Sequence, residues 1–142
     1  MPTFRRSAAI ILAILIVHVF AILSGWYEVN RWFDIPMHFS GGAAMAYLGL
    51  AGWNFCIQKV TLQKGLAPHW HTLVYLVGIL GFVALIGIAW EWYEYIFDVI
   101  AIEMSAGLQP AQMGLGDTMA DLFLDLLGAL TVFIFFRNRS DT

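Results

Sequence analysis

The sequence predicts an all-α integral membrane protein: a four-helix bundle forming a single membrane domain over residues 1–142, with both termini cytoplasmic. Three observations carry this expectation. First, 61% of the residues are hydrophobic and only 12% are charged, and the mean hydropathy is +0.76. A soluble domain carries about 25% charged residues, so this chain cannot clothe a water-facing surface. Second, four apolar runs at about residues 7–25, 35–57, 72–97 and 117–136 are each long enough to cross a ~30 Å hydrocarbon core. Third, the basic residues are asymmetric. Arg5, Arg6, Lys59, Lys64, Arg137 and Arg139 flank the spans on one side, and Arg31 stands alone on the other. The positive-inside rule then places both termini in the cytoplasm. In a bacterial cytoplasmic membrane, the connections at residues 26–34 and 98–116 face outward.

The first run follows a short basic head, Met1 to Arg6, and is followed by Trp26 and Tyr27 where an aromatic belt belongs. A basic head before an apolar run also fits a signal peptide. This run is longer than a usual signal core and lacks an A-x-A site, which favours a retained span. Glu28 to Asp34 is expected to be a short polar loop. In the second run Pro36 falls in the first helical turn, where proline is tolerated. Gly42, Ala46 and Gly49 share a face there, the pattern of close helix packing in membranes. Lys59 to His71 is expected to be a cytoplasmic loop carrying His69 and His71. The third run ends in AWEWYEYIFD. Asp98 to Gly116 is the longest connection, and the fourth run starts at Asp117.

Several function classes drop out early. The formal charge of −3 and the lack of basic clusters argue against nucleic-acid binding. The only cysteine, Cys56, rules out an intrachain disulfide and any multi-cysteine metal site.

The informative residues are the ionisable ones inside the apolar runs. Asp117, Asp121 and Asp125 recur every fourth residue, so on a helix they share one face. Glu91 and Glu94 follow Ala84 and Gly87 on a stripe of small and acidic residues, and His38 heads the stripe of Gly42, Ala46 and Gly49. The topology places His38, Glu91, Glu94, Asp121 and Asp125 in one layer of the outer half of the membrane. These five are the candidate catalytic and metal-ligating residues. Like charges in an apolar setting repel strongly, and an ionisable side chain within a span is a functional-site hypothesis by default. Protons or a divalent cation must offset them. Asp34, Asp98 and Asp117 lie at span ends, where a capping or solvated carboxylate serves equally well, and Asp117 is expected as an N-cap. His18 suits a helix-packing hydrogen bond better than a ligand position.

Three motif matches fail on context. GLGD at 114–117 matches the GxGD motif of intramembrane aspartyl proteases, but four spans are too few and the proline-containing partner motif is missing. The D-x3-D spacing matches CDP-alcohol phosphotransferases, whose upstream D-G-x2-A-R element is absent and whose chemistry faces the cytoplasm. Glu91 and Glu94 have the spacing of a ferritin-like E-x-x-H pair, with glutamate in place of histidine.

In order, D-x3-H-x2-G-G at Asp34 to Gly42, W-E-x2-E at Trp90 to Glu94, and G-D-T-x3-D-x3-D-x2-G-A at Gly116 to Ala129 resemble the YjdF-like family of small bacterial inner-membrane proteins. More distantly they resemble VanZ-like membrane domains. The resemblance covers about residues 32–130 and implies a helical membrane fold, with no established activity. VanZ-like proteins are linked to glycopeptide resistance at the cell envelope.

Two function classes follow. The first is a metal- or proton-assisted enzyme acting on a lipid or lipid-linked envelope substrate. Asp121, Asp125, Glu91 and Glu94 would hold a divalent cation, with His38 as ligand or general base. Oxygen ligands suit Mg, Ca or Mn, and the histidine admits Zn or Fe. The alternative is non-catalytic: a cation- or proton-binding or transport module, or a structural protein whose acids are protonated and hydrogen-bonded between helices. The missing ionisable path in the cytoplasmic half favours a one-sided site. The expected partners are membrane lipids and a lipid-linked substrate, with room for an oligomer of the chain.

Overall fold

The computed structural model describes residues 2–57, 68–104 and 110–137. Lys59, Lys64 and Arg139, which carried parts of the loop and orientation expectations, lie outside the described residues. The described elements are all helical: α1 (Phe4–Leu23), a short α2 (Trp26–Val29), a 3-10 turn (Arg31–Phe33), α3 (Asp34–Ile57), α4 (Pro68–Met104) and α5 (Leu115–Arg137).

Local chemistry sets the ends. Thr3 caps α1 by accepting the Arg6 N–H at 3.4 Å, and Ser7 Oγ donates to the Thr3 carbonyl at 3.0 Å. Beyond α1 the chain reverses at Gly25, whose φ of 65° lies in the left-handed region that only glycine adopts without strain. The expected polar loop at 28–34 is therefore two compact helical turns, which fold Tyr27 and Arg31 over the end of the bundle. Pro68 starts α4 at a position where a missing N–H does no harm. His69 and His71 thus lie in the first turns of that helix rather than in a loop. The helix then continues past Phe97 through Met104, because V-I-A-I-E-M contains no breaker. Asp98 is internal to it.

α3 is the central helix. It packs most extensively on α5, then on α1 and α4, while α4 also packs on α5. The α3–α5 seam depends on glycine. A Cβ on Gly42 would collide with the Asp125 backbone, and one on Gly128 with the Phe39 carbonyl and, at 2.9 Å, with the Ala43 nitrogen. Close backbone approach through small residues is how membrane helices gain packing energy in the absence of a hydrophobic drive.

Among the described residues three helices are long and apolar enough to cross a membrane: Phe4–Leu23, Trp70–Ile100 and Leu115–Phe136. The central helix α3 is not one of them. Its contacts require glycine and alanine, which dilute its hydropathy, and it is the helix most enclosed by the others. The outward face of the bundle is apolar, with Leu12, Ile16, Phe20, Leu85, Phe123 and Phe135 exposed.

The buried apolar core is Ala46, Leu50, Ile79, Val83, Ala129 and Phe133. It occupies the end of the bundle away from α2. Beside it Trp53 stacks on Tyr75 at 4.8 Å, and Tyr75 meets Phe133 edge-on at 5.2 Å.

Candidate functional site

Toward the other end, the same three helices bury polar side chains. His38, Glu91, Glu94, Asp98, Asp121 and Asp125 are all at most 8% exposed. His38 stands one turn into α3, directly above Asp34. Its Nε2 is 3.6 Å from Asp34 Oδ1 and 3.8 Å from Asp121 Oδ1, while its Nδ1 is 3.5 Å from Asp125 Oδ1. Both ring nitrogens thus face carboxylates. Asp125 is admitted by Gly87: a Cβ there would lie 2.6 Å from Asp125 Oδ2.

The five residues singled out from the sequence therefore converge, and two groups among them and their neighbours are compact enough to share an ion. Asp34, His38 and Asp121 form one, and His38, Glu91 and Glu94 the other, with the ligand atoms of each within 4.8 Å of one another. Asp34, read from sequence as a cap or a solvated end, belongs to the first group. Asp125 belongs to neither and lies on the opposite nitrogen of His38. This matches a common division of labour, in which one nitrogen of a histidine ligates while the other is held by a carboxylate.

A segment after α4 closes over the cluster. The backbone N–H groups of Ala111 and Gln112 donate to the two Asp98 oxygens at 2.8 and 2.9 Å, so Asp98, two residues before the end of the apolar stretch Trp70–Ile100, anchors this segment. Gln112 Nε2 donates to Glu91 Oε2 and to Thr118 Oγ1, both at 3.0 Å. Asp117 is the third residue of α5 rather than its N-cap, and its Oδ2 reaches back to accept the Met113 N–H at 2.9 Å. Trp90 Nε1 donates to Glu94 Oε1 at 2.8 Å. Glu91 Oε1, by contrast, is buried with no hydrogen-bond partner.

His18 meets its neighbours from α1. Its Nδ1 is 2.8 Å from Tyr27 Oη, and its ring lies edge-on to Trp90 at 4.9 Å. Burial first, then the carboxylates of Asp34 and Glu94, raise the Tyr27 phenol well above its ordinary range. The phenol therefore stays neutral, and it pairs with His18 Nδ1 as donor or acceptor according to the imidazole tautomer. The second His18 nitrogen, Nε2, is buried without a partner.

Two cavities meet beside this pair, sharing His18, Tyr27 and Asp34. The inner one, about 90 Å³, lies between α1, α3 and α4, is walled by apolar side chains and has His38 and Asp125 in its lining. The outer one, about 190 Å³, lies under α2 and the Pro110–Met113 segment and carries Glu28, Arg31 and Glu94.

Sequence reasoning missed Gln112, Trp90 and Tyr27. Trp90 was legible from its i, i+4 relation to Glu94. Gln112 sits in a connection with no periodicity to place it.

Several apolar helices surrounding a buried acid and histidine cluster define an all-helical membrane protein. The chain belongs to the family described as "Predicted membrane protein (DUF2238)", whose model matches residues 2–142. This is the family to which the YjdF-like resemblance pointed. No curated protein and no solved structure matches the chain.

Proposed function

We propose that this chain is a four-span protein of the bacterial cytoplasmic membrane, with α3 as the enclosed fourth span and both termini cytoplasmic. Its outer half holds a divalent-cation centre serving an enzyme that acts on a lipid or lipid-linked envelope substrate. His38, Glu91 and Glu94 are the ligands, Asp34 and Asp121 form a second group with the same histidine, and Asp125 orients the His38 ring. The more distant likeness to VanZ-like domains also points to envelope chemistry.

The observation that carries this proposal is the unpartnered, buried Glu91 Oε1 beside His38 and Glu94. A buried carboxylate oxygen without a donor costs about 1–3 kcal/mol, and each intramembrane charge costs ~3 kcal/mol or more. A divalent ion offsets both at once. It would also act as a Lewis acid, and it would lower the pKa of a bound water enough for hydrolysis or phosphoryl-group chemistry. Transport is disfavoured by the cytoplasmic half, where Leu50, Ile79, Val83 and Phe133 pack without a described acidic, basic or histidine side chain among them.

The test is elemental analysis of the detergent-purified full chain after loading with Mg, Mn or Zn at near-neutral pH. Near-stoichiometric metal is expected in the unmutated protein and should be lost in Glu91→Gln and Asp121→Asn, with helicity unchanged. An unmutated protein that takes up none of the three ions would refute the centre. Orientation has its own check. In a Cys56→Ser background, Asn30→Cys should react with an impermeant thiol reagent on intact cells. Labelling that requires permeabilisation would invert the topology.

A further inference from the structure

The two joined cavities carry more than the ion. We infer that they form the seat of an outer-leaflet phospholipid whose headgroup bears an amine as well as a phosphate, the amphiphile on which the proposed centre acts. The inference deepens the reading above and takes its membrane orientation from it.

The order of chemistry along the bundle axis follows the order of groups in such a lipid. Glu28 is exposed at the outer end and suits an ammonium. Arg31, whose described partner is the Met113 sulfur at 3.0 Å, lines the same outer cavity and suits the phosphate. His18 stands at the junction. In the tautomer whose Nδ1 accepts the Tyr27 hydroxyl, the ring proton is on Nε2, the buried nitrogen that lacks a partner. An ester carbonyl at this level would accept from it. Below His18, Leu15, Ile14 and Ile11 wall the inner cavity on α1, facing Val83 and Ile86 on α4. Ile11 lies about 10 Å deeper than His18 along the helix.

Size and charge agree with this assignment. The inner cavity, about 90 Å³, is smaller than the ~150 Å³ cavity that holds benzene. It therefore takes only the first carbons of a chain, the remainder lying among the membrane lipids outside Leu15. The outer cavity, about 190 Å³, has room for a small headgroup. Asp34 and Glu94 belong to the cation groups, which leaves Arg31 and Glu28 of its lining to the headgroup. A headgroup with phosphate alone would engage only Arg31, whereas an added amine also pairs with Glu28.

Native mass spectrometry in neutral detergent tests this on the full chain, with dioleoyl phosphatidylethanolamine, dioleoyl phosphatidylglycerol and dioleoylglycerol as probes. Phosphatidylethanolamine should be retained about tenfold more strongly than either of the others, a difference of ~1.4 kcal/mol. Arg31→Ala and Leu15→Trp, which remove the phosphate partner and fill the inner cavity, should each abolish that preference. Leu85→Trp, on an exposed position away from the cavities, should keep it. Equal retention of all three lipids, or an undiminished preference in both Arg31→Ala and Leu15→Trp, would overturn the inference. Metal content measured on the same samples separates the two proposals: lipid preference without bound metal sinks the cation centre and leaves the lipid seat standing.

Discussion

Along α3, α4 and α5, the half of the bundle around Leu50, Ile79 and Phe133 buries only apolar side chains. Roughly 18 Å farther along α3 and α5, the same helices bury His38 and Asp121. Backbone spacing does not account for the change, because glycine lets α3 and α5 approach within the polar half as well, at Gly42 and Gly128. The difference lies in what the helices do with their contact. At the apolar end, contact is the purpose: aromatic rings interlock and leave no partner unmet. At the polar end, close contact brings carboxylates around His38, the cluster on which the proposed centre rests.

The largest effect should come from the seam that both halves share. Gly128→Leu drives a side chain into the Phe39 carbonyl and the Ala43 nitrogen, and neither belongs to a flexible group that can move aside. Overpacking of this kind costs typically 1–3 kcal/mol, occasionally more, and backbone contact puts this substitution at the upper end, about 3 kcal/mol. Thermal unfolding in detergent, followed by helical circular dichroism, should show a large fall in melting temperature. Metal uptake should fall with it, since His38 and Asp125 lie on opposite sides of the seam. A variant that melts like the unmutated protein would show that the two helices are less closely apposed than described.

Phe133→Ala should separate the halves. The ring is 1% exposed and meets Tyr75 edge-on. Its removal leaves a cavity, for which the loss is about 2 kcal/mol. That is below the 3–5 kcal/mol of soluble cores, because lipid solvates the ring in the unfolded reference. Melting should drop while metal content per folded chain stays unchanged, the reverse of Glu91→Gln. If Phe133→Ala also empties the metal centre, the two halves are not separable.

The sequence exposed these halves unevenly, for local reasons. Gly42 and Gly128 were legible because spacings of three and four are a property of one helix, and small residues at those spacings already mean contact. The five deep polar residues were legible for the same reason, since a buried charge needs an explanation wherever it lies. The division between Asp121 and Asp125 was not. Four residues turn a helix by about 400°, so the two acids differ by about 40° in direction. Only the position of the His38 ring decides that each faces a different nitrogen. α3 was less plainly legible: enclosed by the others and rich in small residues, it is not among the three described helices long and apolar enough to cross a membrane. Asp98 was legible as an acid near the end of an apolar stretch, but its partners, the Ala111 and Gln112 amides, lie beyond a stretch with no pattern to read.

The smallest expected effect falls on that stretch and sharpens the comparison most. Gln112 is only half-buried, yet its side-chain amide spans Glu91 and Thr118 and so ties the closing segment to α4 and α5. Gln112→Ala removes both bonds. At about 1 kcal/mol for the net loss, the melting temperature should move little, far less than for Phe133→Ala. The consequence for the centre should be larger than the consequence for the fold. Glu91 loses the donor that fixes its Oε2, and partners behind a ligand typically contribute 10–100-fold to metal affinity. A weakening of about tenfold is expected in a metal titration, together with faster hydrogen exchange at the Ala111 and Gln112 amides that Asp98 now holds. An apolar-half residue of similar exposure should move neither readout. Should Gln112→Ala lower stability and leave metal affinity untouched, the closing segment belongs with the scaffold, and the functional half is confined to α3, α4 and α5.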